Sequence, residues 1–163
     1  MDATHTLLVV GEGAVATALG AMADALGWTT VVTTSLEDTV AALDGCDSVV
    51  VLSHHEGIDA PAIAAALSSE ASYVGAMGSR ATQARRQEWL RANGVPEALM
   101  AEMRGPAGLD IGADTPAEIA VSVVAEIVAV RRGVATGTLG SLSGRSGPIH
   151  PDLPPGTAHC PGG

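Results

Sequence analysis

The 163-residue sequence contains no lysine, no phenylalanine and only two cysteines. All eight basic side chains are arginines, and none precedes Arg80, so positions 1–78 carry ten acidic and no basic side chains. Nonspecific nucleic-acid binding and docking on anionic lipid both need clustered basic side chains. With a formal net charge of -10, the chain is expected to bind neither nucleic acid nor a membrane surface.

Long hydrophobic runs are also missing. No stretch of about 18 uncharged apolar residues is present, which argues against a membrane span, and no basic segment precedes the first apolar run, which argues against a signal peptide. Cys46 and Cys160 lie outside any C-x-x-C motif, so a disulfide framework is not expected. These absences predict a cytoplasmic protein. The apolar fraction of 47% argues against disorder over most of the chain.

Strand and helix patterns alternate along positions 1–134. Short β-branched or valine-rich runs predict strands at 6–10, 29–33, 47–52 and 72–77. Apolar residues at helical spacing predict helices at 14–26, 35–43, 59–67, 79–92, 96–103 and 115–130. A further short strand is expected near 109–111. The alternation predicts an α/β fold, a Rossmann-like doubly wound parallel sheet, with residues 135–163 as a tail rich in Gly, Pro and Ser.

The first predicted strand leads into a glycine loop and then into a helix. The loop reads G-x-G-x-x-A, with Gly11, Gly13 and Ala16 at the motif positions and Ala14 opening the helix. In such loops the first glycine permits the turn, the second lets a phosphate approach the backbone, and the small third residue lets the helix pack on the strand. The loop therefore predicts an anion site on backbone amides. Retention of the glycines for packing alone is the alternative.

Polar residues follow the third and fourth predicted strands, at the sheet edge where open α/β folds bind ligands. His54 could act there as an acid, a base or a metal ligand, or could simply be an exposed loop residue. Ser79 could cap the next helix, whose N-terminus and Arg80 would form an anion pocket. Arg85 and Arg86 lie on that same helix, and a solvated arginine face is the alternative for them.

A glycine-flanked loop precedes the last helix. In it, Asp110 and Gly112 could line a ligand site, with the carboxylate accepting from a ligand hydroxyl or ring N–H. The helix itself has a complete start signal, because Thr115 is an N-cap residue, Pro116 follows, and Glu118 completes a capping box. No metal site is predicted, since His150, His159 and Cys160 match no standard ligand spacing.

Two motifs carry a resemblance to a known family. Segment 73–80 reads YVGAMGSR, and segment 108–122 reads GLDIGADTPAEIAVS, with AEI following at 125–127. From about residue 7 to residue 133 the chain closely resembles the C-terminal Rossmann domain of the XdhC/CoxI family, accessory proteins of molybdenum hydroxylases. The resemblance implies a noncatalytic protein that binds the molybdenum cofactor, guards it during sulfuration and delivers it to an apoenzyme such as xanthine dehydrogenase.

The resemblance also implies partners, namely a molybdenum hydroxylase apoenzyme and a cysteine desulfurase. Family members carry an N-terminal domain with a cysteine motif, so a separate chain is expected to supply that domain here. Members have an acidic pair after the second strand where this chain has Thr33-Thr34, and of their Thr-His-Asp-His motif only His54 transfers cleanly. The cofactor phosphate would lie on the amides of residues 13–16 or on Ser79 and Arg80.

Two other functions remain open at this stage. One is an NAD(P)-dependent oxidoreductase, which the glycine loop favours. The chain has no lysine and a single tyrosine, Tyr73, which argues against the usual hydride-transfer relay. The other is a noncatalytic interaction module that forms a homodimer through its apolar last helix and tail. Whether the protein turns over any substrate is left open.

Overall fold

The computed structural model describes residues 4–140 and 142–144, in which strands and helices alternate. The strands are β1 (Thr6–Val10), β2 (Thr29–Thr33), β3 (Ser48–Val51), β4 (Tyr73–Ala76) and β5 (Met103–Arg104). The helices are α1 (Ala14–Ala25), α2 (Leu36–Ala42), α3 (Asp59–Leu67), α4 (Arg80–Ala92), α5 (Glu97–Met100) and α6 (Pro116–Arg131). Two short 3₁₀ turns, Thr136–Thr138 and Leu142–Gly144, follow α6.

The strands all run parallel in one sheet of order β2-β1-β3-β4-β5. The chain leaves β1 toward β2 on one side and returns to build β3, β4 and β5 on the other. The strand order therefore reverses between β1 and β3, and open α/β sheets bind ligands beside such a switch point, outside the carboxyl ends of the strands. The predicted Rossmann-like fold is confirmed.

Helices cover both faces of the sheet. On one face α1 packs against α6, and the core there includes Leu7, Val9 and Leu19. On the other face α2, α3 and α4 pack side by side over Leu8 and Val10. The central strands β1, β3 and β4 are therefore buried on both sides, which explains why their sequences are continuous apolar runs rather than alternating ones.

Three of the described helices begin with a side-chain cap. The caps are Ser35 for α2, Ser79 for α4 and Thr115 for α6, each accepting a hydrogen bond from the third residue of its helix. Glycines with positive φ follow α1, α4 and α6, where an L side chain would be strained. Helices α1, α3 and α5 have no side-chain cap, and α1 follows Gly13 directly.

One predicted strand is misplaced. The structure has no strand at residues 109–111; the fifth strand is the two-residue pairing of Met103 and Arg104 with β4. Residues 109–111 turn instead, because the Ile111 amide donates to the Leu109 carbonyl and the Leu109 amide donates to the Ser122 carbonyl on α6. Helix α5 is also shorter than predicted, ending at Met100.

Two other expectations fall partly or wholly outside the described residues. The predicted tail, 135–163, is described only for 135–140 and 142–144, and the boundary at residue 134 stays a prediction. Cys160 lies beyond the described part, whereas Cys46 is buried, and burial is the main cause that raises the pKa of its thiol.

Among the described residues, no helix has both the length and the apolar character that crossing a bilayer needs.

Candidate functional site

The glycine loop lies at the switch point, and its two glycines have different environments. Gly11 is buried, its amide donates to the Thr33 carbonyl over 2.8 Å, and a Cβ there would lie 2.9 Å from the Ser53 nitrogen. Gly13 has φ +118°, a conformation that L side chains rarely adopt, and nothing lies within 4 Å of where its Cβ would be. Gly11 therefore lets β1 and β3 approach, while Gly13 leaves open space in front of α1.

The backbone amides at the start of α1 are hydrogen-bond donors without acceptors among the described residues. Among the described residues, no acceptor receives a hydrogen bond from the amides of residues 13–16, and the first turn holds no acidic side chain. Ala14 is exposed at the helix start, and Ala16 is buried in the core on that face of the sheet. These amides lie at the positive end of the helix dipole and can donate hydrogen bonds to an anion from solvent.

A cavity of about 230 Å³ opens beside the loop, between the ends of β1 and β3. We name it the switch-point cavity; its lining residues are Gly11, Glu12, Thr34, Leu52, Ser53, His54 and His55. His54 and His55 are both exposed. Thr34 lies where many NAD-binding proteins place an acid for the ribose hydroxyls, so this cavity lacks that recognition group. Gly13 and Ala16 line a separate shallow groove of about 580 Å³ between α1 and the edge strand β2.

A second cavity, of about 460 Å³, lies between the N-terminal ends of α4 and α6. Arg80, Asp110 and Gly112 line it together with Met77 and Ser122, and we name it the arginine cavity. Arg80 and Asp110 are both exposed, so this cavity presents one cation and one anion to solvent. Ser79 does not line it; its hydroxyl accepts from the Thr82 amide and caps α4.

The start of α6 is closed to anions by its own side chain. One oxygen of Glu118 accepts hydrogen bonds from the amides of Asp114 and Thr115, each over 2.9 Å. The Thr115 hydroxyl in turn accepts from the Glu118 amide, completing the predicted capping box. Hydrogen bonds from the amides of Thr115 and Asp114 lower the pKa of Glu118. Glu118 is therefore a structural cap.

Sequence reasoning missed the environment of Arg86. Its side chain is fully buried, and its Nε donates to Asp59 Oδ2 over 3.0 Å. Burial raises the pKa of Asp59, but hydrogen bonds from Arg85 and Arg86 outweigh it, so the net effect lowers this pKa. The solvated-face alternative is wrong for Arg86. The sequence carried no signal for this burial, because two of the three buried residues on that face of α4, Gln83, Arg86 and Leu90, are polar.

A second buried polar cluster fixes the loop of the arginine cavity. Oε2 of Glu126 accepts from the Tyr73 hydroxyl over 2.6 Å and from the Gly108 amide over 2.8 Å. Arg104 lies 3.7 Å from the other carboxylate oxygen and stacks over the Tyr73 ring. Burial, with the neighbouring Glu126 carboxylate, raises the pKa of Tyr73 far above its ordinary range, so this hydroxyl stays protonated and donates.

In the described part of the chain, titratable side chains do not converge into a metal site. Within residues 4–140 and 142–144, no group of three or more His, Cys, Asp or Glu side chains could hold a metal ion. The positions of His150, His159 and Cys160 lie outside the described residues. The predicted site residues therefore divide between the glycine loop with its switch-point cavity and the arginine cavity with the start of α4, all at the carboxyl edge of the sheet.

Comparison with known proteins decides the family. The family model described as the XdhC Rossmann domain matches residues 7–127. The chain belongs to the XdhC family. Both motifs on which the resemblance was based, at 73–80 and 108–122, fall inside the matched segment, so the predicted membership is confirmed.

Individual relatives of this XdhC domain are longer proteins. The chain is 40% identical over 89 residues to a probable xanthine dehydrogenase subunit of Bacillus subtilis, covering 55% of this chain and 25% of that protein. It is 34% identical over 108 residues to the uncharacterized protein YqeB of Escherichia coli, covering 66% of this chain and 20% of that protein. The chain thus spans a quarter or less of the curated relatives it matches.

A solved structure shares the fold of this XdhC domain. It is a crystal structure described as a xanthine dehydrogenase from Bacillus halodurans, with a TM-score of 0.64 and 23% sequence identity. The match covers 83% of this chain and 45% of that chain. At this identity the likeness supports the architecture of the sheet and its helices.

Proposed function

We propose that this XdhC domain assists the maturation of a xanthine dehydrogenase-type molybdenum hydroxylase. In this role it holds the molybdenum cofactor, or a related pterin or nucleotide ligand, at the carboxyl edge of its sheet until an apoenzyme accepts it. Family membership and the naming of a relative as a probable xanthine dehydrogenase subunit support the association with the hydroxylase. The geometry of the glycine loop supports the binding role.

The observation that carries the proposal is the unfilled start of α1. The consecutive amides from residue 13 to residue 16 have no acceptor among the described residues, and Gly13 leaves space in front of them. A phosphate there would receive backbone hydrogen bonds and the favourable field of the helix dipole. Backbone donors suit a chain that has no arginine or lysine before Arg80. The residues present therefore fit a phosphate-bearing ligand.

The two cavities offer room for the rest of such a ligand. His54 at the mouth of the switch-point cavity can donate to or accept from a heterocycle. Arg80 and Asp110 in the arginine cavity can bind an anionic group and a ring N–H respectively. These three side chains are all exposed, so a ligand can reach and leave them from solvent. Holding and release are therefore the chemistry that we assign to them.

The proposed partners follow from that role. The hydroxylase apoenzyme would take the ligand, and a cysteine desulfurase would supply sulfur while the ligand is held. Because the chain spans a quarter or less of its curated relatives, the N-terminal domain of the family would act together with this one.

Anaerobic titration of the purified protein with molybdenum cofactor tests the proposal. Wild type should bind with a saturable isotherm. Gly13→Asp, which puts a carboxylate into the space in front of the amides, should weaken binding about tenfold or more, a loss of roughly 1.4 kcal/mol. Gly27→Asp is the matched control, because Gly27 also has a positive φ with nothing within 4 Å of its Cβ position, yet it follows the other end of α1 and lines neither the groove nor the two cavities. Absence of wild-type binding, or equal loss in both variants, would contradict the proposal.

The positive φ of Gly13 and the position of the loop between β1 and α1 also favour a second ligand class, NAD(P). Thr34 in place of an acid counts against the ribose contact that NAD needs. Titration with NADH, followed by its fluorescence, separates the two ligands. Saturable binding of NADH together with no binding of molybdenum cofactor would favour the oxidoreductase alternative.

A further inference from the structure

One buried guanidinium joins the two loops that border the cavities. Arg86 Nη2 donates to the Ser53 carbonyl over 3.1 Å, and Arg86 Nη1 donates to the Met77 carbonyl over 2.6 Å. Ser53 directly precedes His54 in the switch-point cavity. Met77 lines the arginine cavity and lies three residues before Arg80. The main chains that leave β3 and β4 are thus held by the same side chain.

The guanidinium is itself held from the opposite side. Its Nε donates to Asp59 Oδ2, its Nη1 also donates to Gln83 Oε1 over 3.3 Å, and the side chains of Arg86 and Asp59 are both 0% exposed. The Arg86 guanidinium cannot move away from Asp59 without becoming an unpaired buried cation, which is strongly unfavourable. The adjoining backbone also leaves room for the guanidinium, because a Cβ at Gly78 would lie only 3.2 Å from Arg86 Nη1. The two loops are therefore fixed relative to each other.

We propose that Arg86 is a positioning residue that couples the two cavities. A ligand that displaces the loop after β3 also displaces the loop after β4, so occupancy at His54 is transmitted to Arg80 and the two cavities act as one site. This inference rests on the proposed function for the identity of the ligand. The coupling itself is a property of the buried network and can be measured without any ligand.

Arg85 provides the matched control. Its Nη2 donates to the same Asp59 oxygen over 2.7 Å, yet it reaches neither strand-end carbonyl. Lysine at either position keeps the positive charge. At position 86, however, a single ammonium nitrogen cannot span Asp59, Ser53 and Met77 as the planar guanidinium does. Arg86→Lys therefore removes the connection between the loops, and Arg85→Lys leaves it intact.

Hydrogen exchange with and without molybdenum cofactor reads out the coupling. In wild type, cofactor should slow exchange in both segments, 53–59 and 77–82. In Arg86→Lys, exchange of the free protein should rise about tenfold in both segments, and cofactor should protect only one of them. Arg85→Lys should behave as wild type. Equal behaviour of the two variants would overturn the proposal.

A second measurement leaves Arg86 intact and covers the case in which Arg86→Lys does not fold. Native-state exchange of the free wild-type protein in increasing low urea should give one shared isotherm for the amides of Ser53, Asp59, Met77 and Thr82, all of which are hydrogen-bonded. Separate isotherms for the two segments would overturn the coupling. If the isotherm is shared but cofactor never binds, the proposed function fails and the coupling stands.

Discussion

At the scale of single residues, the two glycines of the loop show how one motif can combine packing and binding. Gly11 is fixed by neighbours on both sides, since its amide is bonded to Thr33 and its Cα faces Ser53. Gly13 has the same sign of φ but faces open space. The G-x-G motif assigned the turn to the first glycine and phosphate approach to the second, whereas the close contact of Gly11 with Ser53 is visible only in the structure.

We therefore predict different costs for the same substitution at the two positions. Gly13→Ala should lower the free energy of unfolding by about 1–3 kcal/mol, the cost of an L residue in this backbone region. Gly11→Ala should cost more, because the new Cβ also lies 2.9 Å from backbone. Urea denaturation of the two variants measures the order, and an equal or reversed order would contradict these assignments.

A buried histidine gives the molecule a pH-dependent stability. His5 lies at the opposite edge of the sheet, where its Nε2 is 2.9 Å from the Ser48 hydroxyl and its ring packs on Trp28. Burial, assisted by the charge of Arg131, lowers the pKa of His5 below its usual 6.5, and Asp47 opposes this only in part.

The sign of the pH effect follows from that direction. Below pH 6.5 the unfolded chain binds a proton at His5 that the folded chain does not, so the free energy of unfolding should fall as the pH falls through 6.5 toward the lowered pKa. We expect this loss in wild type and a weaker one in His5→Gln. Urea denaturation at several pH values between 7.5 and 5 checks it; identical slopes in the two proteins would rule out His5 as the cause.

At the scale of elements, the capping box of α6 anchors the loop that lines the arginine cavity. Thr115→Ala removes the hydroxyl that accepts from the Glu118 amide, and should cost about 1 kcal/mol of unfolding free energy. Thr17→Ala is the comparison, because Thr17 is exposed in α1 and its hydroxyl, among the described residues, donates only to the Gly13 carbonyl. Its cost should stay within about 0.5 kcal/mol. Similar losses of unfolding free energy in the two variants would contradict the assignment of Thr115 as a stabilising N-cap.

The contact between β4 and α6 depends on a buried charged acceptor. Tyr73→Phe keeps the ring but removes one of the two donors to Oε2 of Glu126. A hydrogen bond to a charged group contributes roughly 1.5–3 kcal/mol, so the free energy of unfolding should fall by about that amount. Calorimetry or urea denaturation measures it. A loss of unfolding free energy below about 0.5 kcal/mol, less than a neutral hydrogen bond contributes, would show that Glu126 does not need the Tyr73 donor.

The bounds of an element were predicted correctly where its sequence run has clear ends. β1, β2 and α3 have the predicted bounds, because apolar or alanine-rich runs end at polar or glycine residues there. β5 was misplaced because two residues carry no periodic signal, and only pairing with β4 makes them a strand. Arg86 was misjudged for a related reason, since charge predicts solvent exposure unless a buried partner, here Asp59, is known to lie opposite.

At the scale of the whole molecule, the site is a rim and not a single pocket. The candidate residues come from the glycine loop, the loop after β3, the start of α4 and the loop before α6, which the parallel topology brings to one edge of the sheet. Sequence order alone predicted this shared edge. It could not predict the division into two cavities, or the buried networks of Arg86 and Glu126 that hold their walls.

The most direct test of this account is an amide-resolved NMR titration of the ¹⁵N-labelled protein with molybdenum cofactor under anaerobic conditions. We expect saturable shift changes at the amides of residues 13–16, with accompanying changes at His54 and Arg80. Changes confined to the opposite edge, around His5 and Asp47, or a titration that leaves residues 13–16 unmoved, would contradict the claim that the start of α1 holds the ligand.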